Sequence, residues 1–131
     1  MTRFFLAIAA ILGGLSVATG AFASHALKER LTERALEIFE VGTRYQMYHA
    51  LALLIVALLC NISSQSLPYN APPPTLVAAG IAFIAGVVIF SGSLYALSLT
   101  NIKWLGAITP LGGAAFIVGW SCLAVAAWSF K

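Results

Sequence analysis

Apolar and polar positions fall into long blocks along this chain, not into a short alternation. Uncharged, mostly apolar runs cover residues 4–24, 45–62, 75–99 and 105–130. The charges are confined to Arg3, the stretch from Lys28 to Arg44, Lys103 and Lys131. A helix needs about 20 apolar residues to cross the hydrocarbon core of a bilayer. Three of the runs meet that length and the second is slightly short. Backbone groups in lipid must be hydrogen-bonded within their own segment, so each run is predicted to be an α-helix. The predicted fold is all-α: four transmembrane helices in an antiparallel bundle, forming a single domain over residues 1–131.

The three connections differ in character. Between the first two spans, Leu27, Leu31, Ala35, Leu36, Ile38 and Phe39 fall on one half of a helical wheel. Glu29, Arg30, Glu33, Arg34, Glu37 and Glu40 fall on the other. That spacing predicts a short amphipathic helix over about 27–40, lying in the headgroup plane as a connector or as a lid over a site. The second connection, 61–74, is uncharged and ends in Pro72-Pro73-Pro74, which favours an extended path. The third is a short turn in which Lys103 and Trp104 have the character of interface anchors.

Composition narrows the class. Of 131 residues, 61% are hydrophobic and 8% charged, with a mean hydropathy of +0.97. A typical soluble domain is roughly a quarter charged, and a soluble protein this small could not hide so much apolar surface. A soluble enzyme, a nucleic-acid-binding domain and a disordered tail are excluded. The net charge of +3 comes from seven scattered bases, which make no nucleic-acid footprint. Cys60 and Cys122 have neither metal spacing nor a CxxC pattern and read as small hydrophobes. The first run carries Arg3 and a small-x-small pattern at Ala21-Phe22-Ala23, as a signal peptide does, but its length favours an uncleaved helix. Lys28, Arg30, Arg34, Arg44 and Lys103 sit in loops one and three, against Arg3 and Lys131 on the other side. The positive-inside rule then places loops one and three in the cytosol, with the chain multi-pass in the cell (inner) membrane.

Small residues mark close helix packing, since lipid provides little hydrophobic drive between helices. Gly20 recurs at four-residue spacing with Ser16 and Ser24. Gly86 does so with Ala82, and Gly112 and Gly119 recur at seven. Gly14 to Gly20 and Gly86 to Gly92 form a faint internal echo. These glycines are assigned to helix packing, within the bundle or between subunits.

Polar side chains gather toward one end. His25 follows the first span, Tyr45, Gln46, Tyr48 and His49 open the second, Ser91, Ser93 and Tyr95 sit late in the third, and Thr109 and Pro110 open the fourth. With alternating helix directions, all fall at the loop-one face. Singly, each has a plain structural reading: interface Tyr and His with a wet tip, or Ser and Thr bonded to their own helix. Convergence from four helices predicts a polar pocket there. His25 and His49 could ligate haem only as facing rings at matched depth. No Cys, Met or carboxylate completes a metal set, so hydrogen-bonding roles are favoured and no cofactor or metal is predicted. No span holds a carboxylate, and catalytic residues are not assigned.

The blocks Gly20-Ala21-Phe22-Ala23-Ser24-His25-Ala26-Leu27, Tyr45-Gln46-Met47-Tyr48-His49-Ala50-Leu51, Phe90-Ser91-Gly92-Ser93-Leu94-Tyr95 and Thr109-Pro110-Leu111-Gly112-Gly113, with Phe116 and Gly119-Trp120 after them, occur in this order. The chain resembles the YgdD/YwdK-type small bacterial inner-membrane proteins, a family of unknown function with eukaryotic relatives. The family commonly has Gly-Ala-His where this chain has Ala23-Ser24-His25. The resemblance implies four transmembrane helices and supplies no activity or substrate.

Two functions are expected from these features. In the first, His25, Tyr45, Gln46, His49, Ser91, Ser93, Tyr95 and Thr109 line or gate a pocket that binds or passes a small polar solute or proton. In the second, the chain is a non-catalytic accessory subunit or assembly factor, packed against a larger membrane protein or as a homo-oligomer.

Overall fold

The computed structural model describes residues 1–66 and 71–128. The end of the expected fourth span, Lys131 and part of loop two lie outside them. Four helices are long and apolar enough to cross a membrane. The first is α1 (Thr2–Phe22), extended by a π-helical turn over Ala23–Leu27 in which the Lys28 amide donates to the Ala23 carbonyl at 3.1 Å. The second is α2 (Glu33–Ser66). The third joins α3 (Pro74–Gly86) to α4 (Gly92–Thr100) through a second π-helical turn, Val87–Ser91. The fourth is a 3₁₀ turn over Lys103–Ala107 followed by α5 (Thr109–Ala127). Asn101 closes α4 in the left-handed region at φ 56°, a conformation that Asn tolerates better than most residues.

The amphipathic stretch differs from its expected form. Residues 33–40 are helical, yet they continue into the second span as one helix of 34 residues. At 1.5 Å per residue that is about 50 Å, against about 30 Å of hydrocarbon. The start lies at Thr32, whose hydroxyl accepts from the Ala35 amide at 3.2 Å, as an N-cap does. Nothing between Glu40 and Tyr45 breaks the helix; a lone Gly42 costs only about 1 kcal/mol. The apolar half has a protein partner in place of the headgroup layer. Phe39 is buried with Ala23 and Leu27, and its ring lies 4.6 Å from that of Tyr95. The polar half carries an exposed Arg34–Glu37 pair at 3.2 Å. Glu37→Gln should shift the unfolding free energy by less than about 0.5 kcal/mol, as screened surface pairs do. Denaturant titration in detergent checks this.

The helices form a sequential array with α2 and α3–α4 inside and α1 and α5 at the edges. Only 17% of the most apolar stretch of α1, and the same share of α5, is buried, against 44% for α2. The exposed faces carry Leu6, Ile11, Leu15 and Val17 on α1 and Leu111, Ile117, Val118 and Val125 on α5. Such faces are a liability in water and the expected surface in lipid. The half remote from loop one is a dry core of Phe5, Leu53, Val56, Cys60, Leu76 and Phe83. Phe5 enters it because Gly80 leaves room: a Cβ there would lie 2.5 Å from the Phe5 ring.

Candidate functional site

Two polar groupings occupy the loop-one half, and they differ in kind. The first lies where α1, α2 and α4 meet. Ser16 Oγ donates to the Thr43 carbonyl at 2.8 Å. Gln46 Nε2 donates to the Leu12 carbonyl at 2.9 Å, and the Tyr95 hydroxyl donates to Gln46 Oε1 at 2.9 Å. Thr19 and Thr43 lie 3.4–3.5 Å from the Tyr95 hydroxyl. Ser91 Oγ donates to the Gly42 carbonyl at 2.8 Å, and the hydroxyls of Ser93 and Thr109 pair at 2.8 Å. Each of these groups answers another across a helix contact. This is polar glue between spans, which in a membrane supplies what the hydrophobic effect does not.

The second grouping is aromatic and centres on His49. Its Nδ1 contacts the Tyr45 carbonyl at 2.7 Å, and its Nε2 contacts Trp120 Nε1 at 3.2 Å. A carbonyl only accepts and an indole N–H only donates. One assignment satisfies both contacts: a neutral ring carrying its proton on Nδ1, with Nε2 accepting. The ring stacks on Phe116 with centroids 3.4 Å apart and planes 7° apart. Phe83 lies 5.6 Å away.

Glycines seat these rings. A Cβ at Gly86 would strike the Phe116 ring, and one at Gly119 would lie 2.6 Å from Phe83. Beside His49 lies an open groove of about 570 Å³, which the exposed Ile117 and Trp120 help to line. Tyr45, Phe90, Pro110, Phe116 and Trp120 are among its lining residues. The Val87–Ser91 π-helical turn contributes Phe90 to its wall. Trp120 is 47% exposed, so the indole that covers His49 Nε2 stands at the rim.

The expected site residues therefore divide. His49 and Tyr45 line the groove. Gln46, Ser91, Ser93, Tyr95 and Thr109 bond to other parts of the protein, and none of them lines the groove. His25 lies on the first π-helical turn and is exposed, and its side chain makes no hydrogen bond among the described residues. It does not face His49. Ser16 and Thr43 are level, so His25 stands nine residues above that level on α1 and His49 six below it on α2. At 1.5 Å per residue the two are roughly 20 Å apart in depth, and a haem held between them is incompatible with this placement.

Of the packing glycines, Gly86, Gly112 and Gly119 sit at contacts where a Cβ has no room. A Cβ at Gly20 would meet Thr43 at an ordinary 3.5 Å, and Gly92 faces open space. The echo of Gly14–Gly20 in Gly86–Gly92 has no structural counterpart, because Gly14 is open where Gly86 is pressed against Phe116. Gly42 and Gly80 are close contacts the spacing did not mark. Phe116 and Trp120 belong to the blocks that carry the resemblance and not to the expected site. Their links to His49 cross 67 and 71 residues of sequence, and no local pattern signals them.

Comparison with known proteins now decides the family. Residues 19–113 match the family described as protein of unknown function, DUF423. The UPF0382 membrane protein YwdK of Bacillus subtilis (strain 168) is 43% identical over 125 residues, covering 95% of this chain and 96% of that protein. The chain belongs to the DUF423 family. The UPF0382 membrane protein SAB0533 of Staphylococcus aureus (strain bovine RF122 / ET3-1) is 41% identical over 128 residues, 98% of each chain. A UPF0382 membrane protein of Staphylococcus epidermidis (strain ATCC 12228 / FDA PCI 1200) is 40% identical over the same length and coverage. No solved structure matches. These relatives are named membrane proteins, and this chain is an all-α membrane protein of a family of unknown function. The YwdK resemblance drawn from the four sequence blocks is the correct family. The DUF423 match takes in Tyr45, Gln46, His49, Ser91, Tyr95 and Thr109 and stops short of Phe116 and Trp120.

Proposed function

We propose that this DUF423 protein binds a small amphiphile from the bilayer, one with a flat or apolar body and a hydrogen-bond-donating hydroxyl. The observation that carries this reading is His49: a buried acceptor nitrogen at the inner wall of a lipid-facing aromatic groove, covered by one long bond from an exposed indole. A hydroxyl that displaces Trp120 gives Nε2 an equivalent donor, while the rings cover the body. Passage of a polar solute or proton has less support, because the polar groups near loop one are engaged with one another.

The test uses 4-hexylphenol and its methyl ether, which lacks the donor, against protein in detergent with the Trp120 indole N–H followed by NMR. The phenol should shift that resonance saturably, and the ether should bind about tenfold more weakly, the worth of one net hydrogen bond of roughly 1.4 kcal/mol. His49→Phe should remove the difference between them. Equal binding of phenol and ether by the unsubstituted protein would count against the reading.

A second reading, an accessory subunit or homo-oligomer, is favoured by the uncovered faces of α1 and α5. Lipid covers such faces equally well, so the groove weighs more. Gly112 and Gly119 contact Phe90 and Phe83 of their own chain, and substitutions there would report on internal packing before any partner. Loops one and three are assigned to the cytosol on five basic residues at that end, Lys28, Arg30 and Lys103 beside Arg34 and Arg44 on α2.

A further inference from the structure

The first turns of α2 pack on Leu27 and Tyr95 through Phe39, and their outer face carries charge. Arg34, Ile38, Val41 and Arg44 follow one another at helical spacing. With Glu37 on the same helix and Leu94 on α4 they line an open cleft of about 460 Å³. Two guanidinium groups and one carboxylate give the cleft a net charge of +1. Glu37 is committed to Arg34 at 3.2 Å, and Arg44 has no ion-pair partner among the described residues.

Arg44 is also set low for a charge. It follows Thr43, whose carbonyl takes the Ser16 hydroxyl, so it stands level with the upper third of the apolar α1. Helical side chains tilt toward the helix N-terminus, which for α2 is the loop-one face. A long basic side chain directed that way, along the cleft Arg44 shares with Val41, can carry its charge toward the headgroup layer.

We infer that this cleft holds the headgroup of an anionic phospholipid, with Arg44 on the phosphate and the start of an acyl chain along Ile38, Val41 and Leu94. Charge complementarity selects the class, and the arginine fork fits phosphate oxygens in pairs. The apolar floor selects a lipid over a free anion. The cleft is separate from the His49 groove, and neither site needs the other.

Native mass spectrometry of the full chain released from phosphatidylglycerol/phosphatidylcholine nanodiscs tests it. One phosphatidylglycerol should be retained in preference to phosphatidylcholine. Arg44→Gln should reduce that retention about fivefold, the effect of one basic residue at an anionic surface. Lys103→Gln, on the same membrane face and outside the cleft, should leave it unchanged. Arg44 is exposed, and unchanged helical circular dichroism of the variant separates loss of lipid from loss of fold. Equal losses in the two variants would reduce the effect to diffuse surface charge and overturn the site. Absence of a phosphatidylglycerol preference would overturn it too, as would displacement of the lipid by millimolar inorganic phosphate.

Discussion

Gly112→Ala should destabilise the folded chain by about 1–3 kcal/mol, the range for forcing an extra methyl into a packed contact. The added Cβ would lie 2.7 Å from Phe90 Cα and press on Phe90 N. Backbone atoms cannot rotate aside as a side chain can, so α5 must part from the Val87–Ser91 turn. Gly92→Ala is the matched control: Gly92 is helical at φ −60°, ψ −45°, and open space surrounds its missing side chain. That substitution should stabilise by up to about 1 kcal/mol through helix propensity alone. Dodecyl-sulfate unfolding followed by circular dichroism reads both, and effects of the same sign would refute the assigned contact. Because Phe116 is seated between α5 and Gly86, Gly112→Ala should also disturb the stacking on His49.

The opposite surroundings of Gly112 and Gly92 mark where sequence reading ends. Spacing shows that small residues recur, but not which of them meets a neighbour. The spans were legible because hydropathy over about 20 residues is a property of the segment itself. The length of α2 was not. Charges at positions 33–44 look like a polar loop, and the apolar half of that stretch looks like a membrane-surface helix. What keeps it on the axis of the second span is Phe39 packing on Tyr95 and Leu27, contacts formed with distant parts of the chain.

The polar residues follow the same logic. A sequence shows that Gln46, Ser91 and Tyr95 share one end of the bundle. It does not show that each has a partner, and Thr19 and Thr43, which lie against the Tyr95 hydroxyl, carry no distinguishing pattern. His49 was legible as a candidate, whereas the ring beneath it and the indole over it were not, since both come from the far end of the chain.

The Gln46–Tyr95 bond yields the second large effect. Gln46→Leu removes the bond to the Leu12 carbonyl and the acceptor for the Tyr95 hydroxyl. It should cost about 1–2 kcal/mol, at the upper end for interhelical hydrogen bonds in membrane proteins. Tyr95→Phe should cost less, because Gln46 keeps its bond to α1. The two bonded atoms are 2.9 Å apart, so the changes should not add. The double variant should recover about 0.6–1.7 kcal/mol of the summed losses, the span reported by such cycles within a bilayer. Strict additivity in the same unfolding assay would mean that the two side chains stand near each other without bonding. A coupling of the expected size would mean that α4 is tied through Gln46 to α1, two helices that otherwise share little contact. The first span is then held to the bundle at three heights: by Phe5 against Gly80 near its start, by this polar relay at Leu12 near its middle, and by Ser16 on the Thr43 carbonyl beyond that.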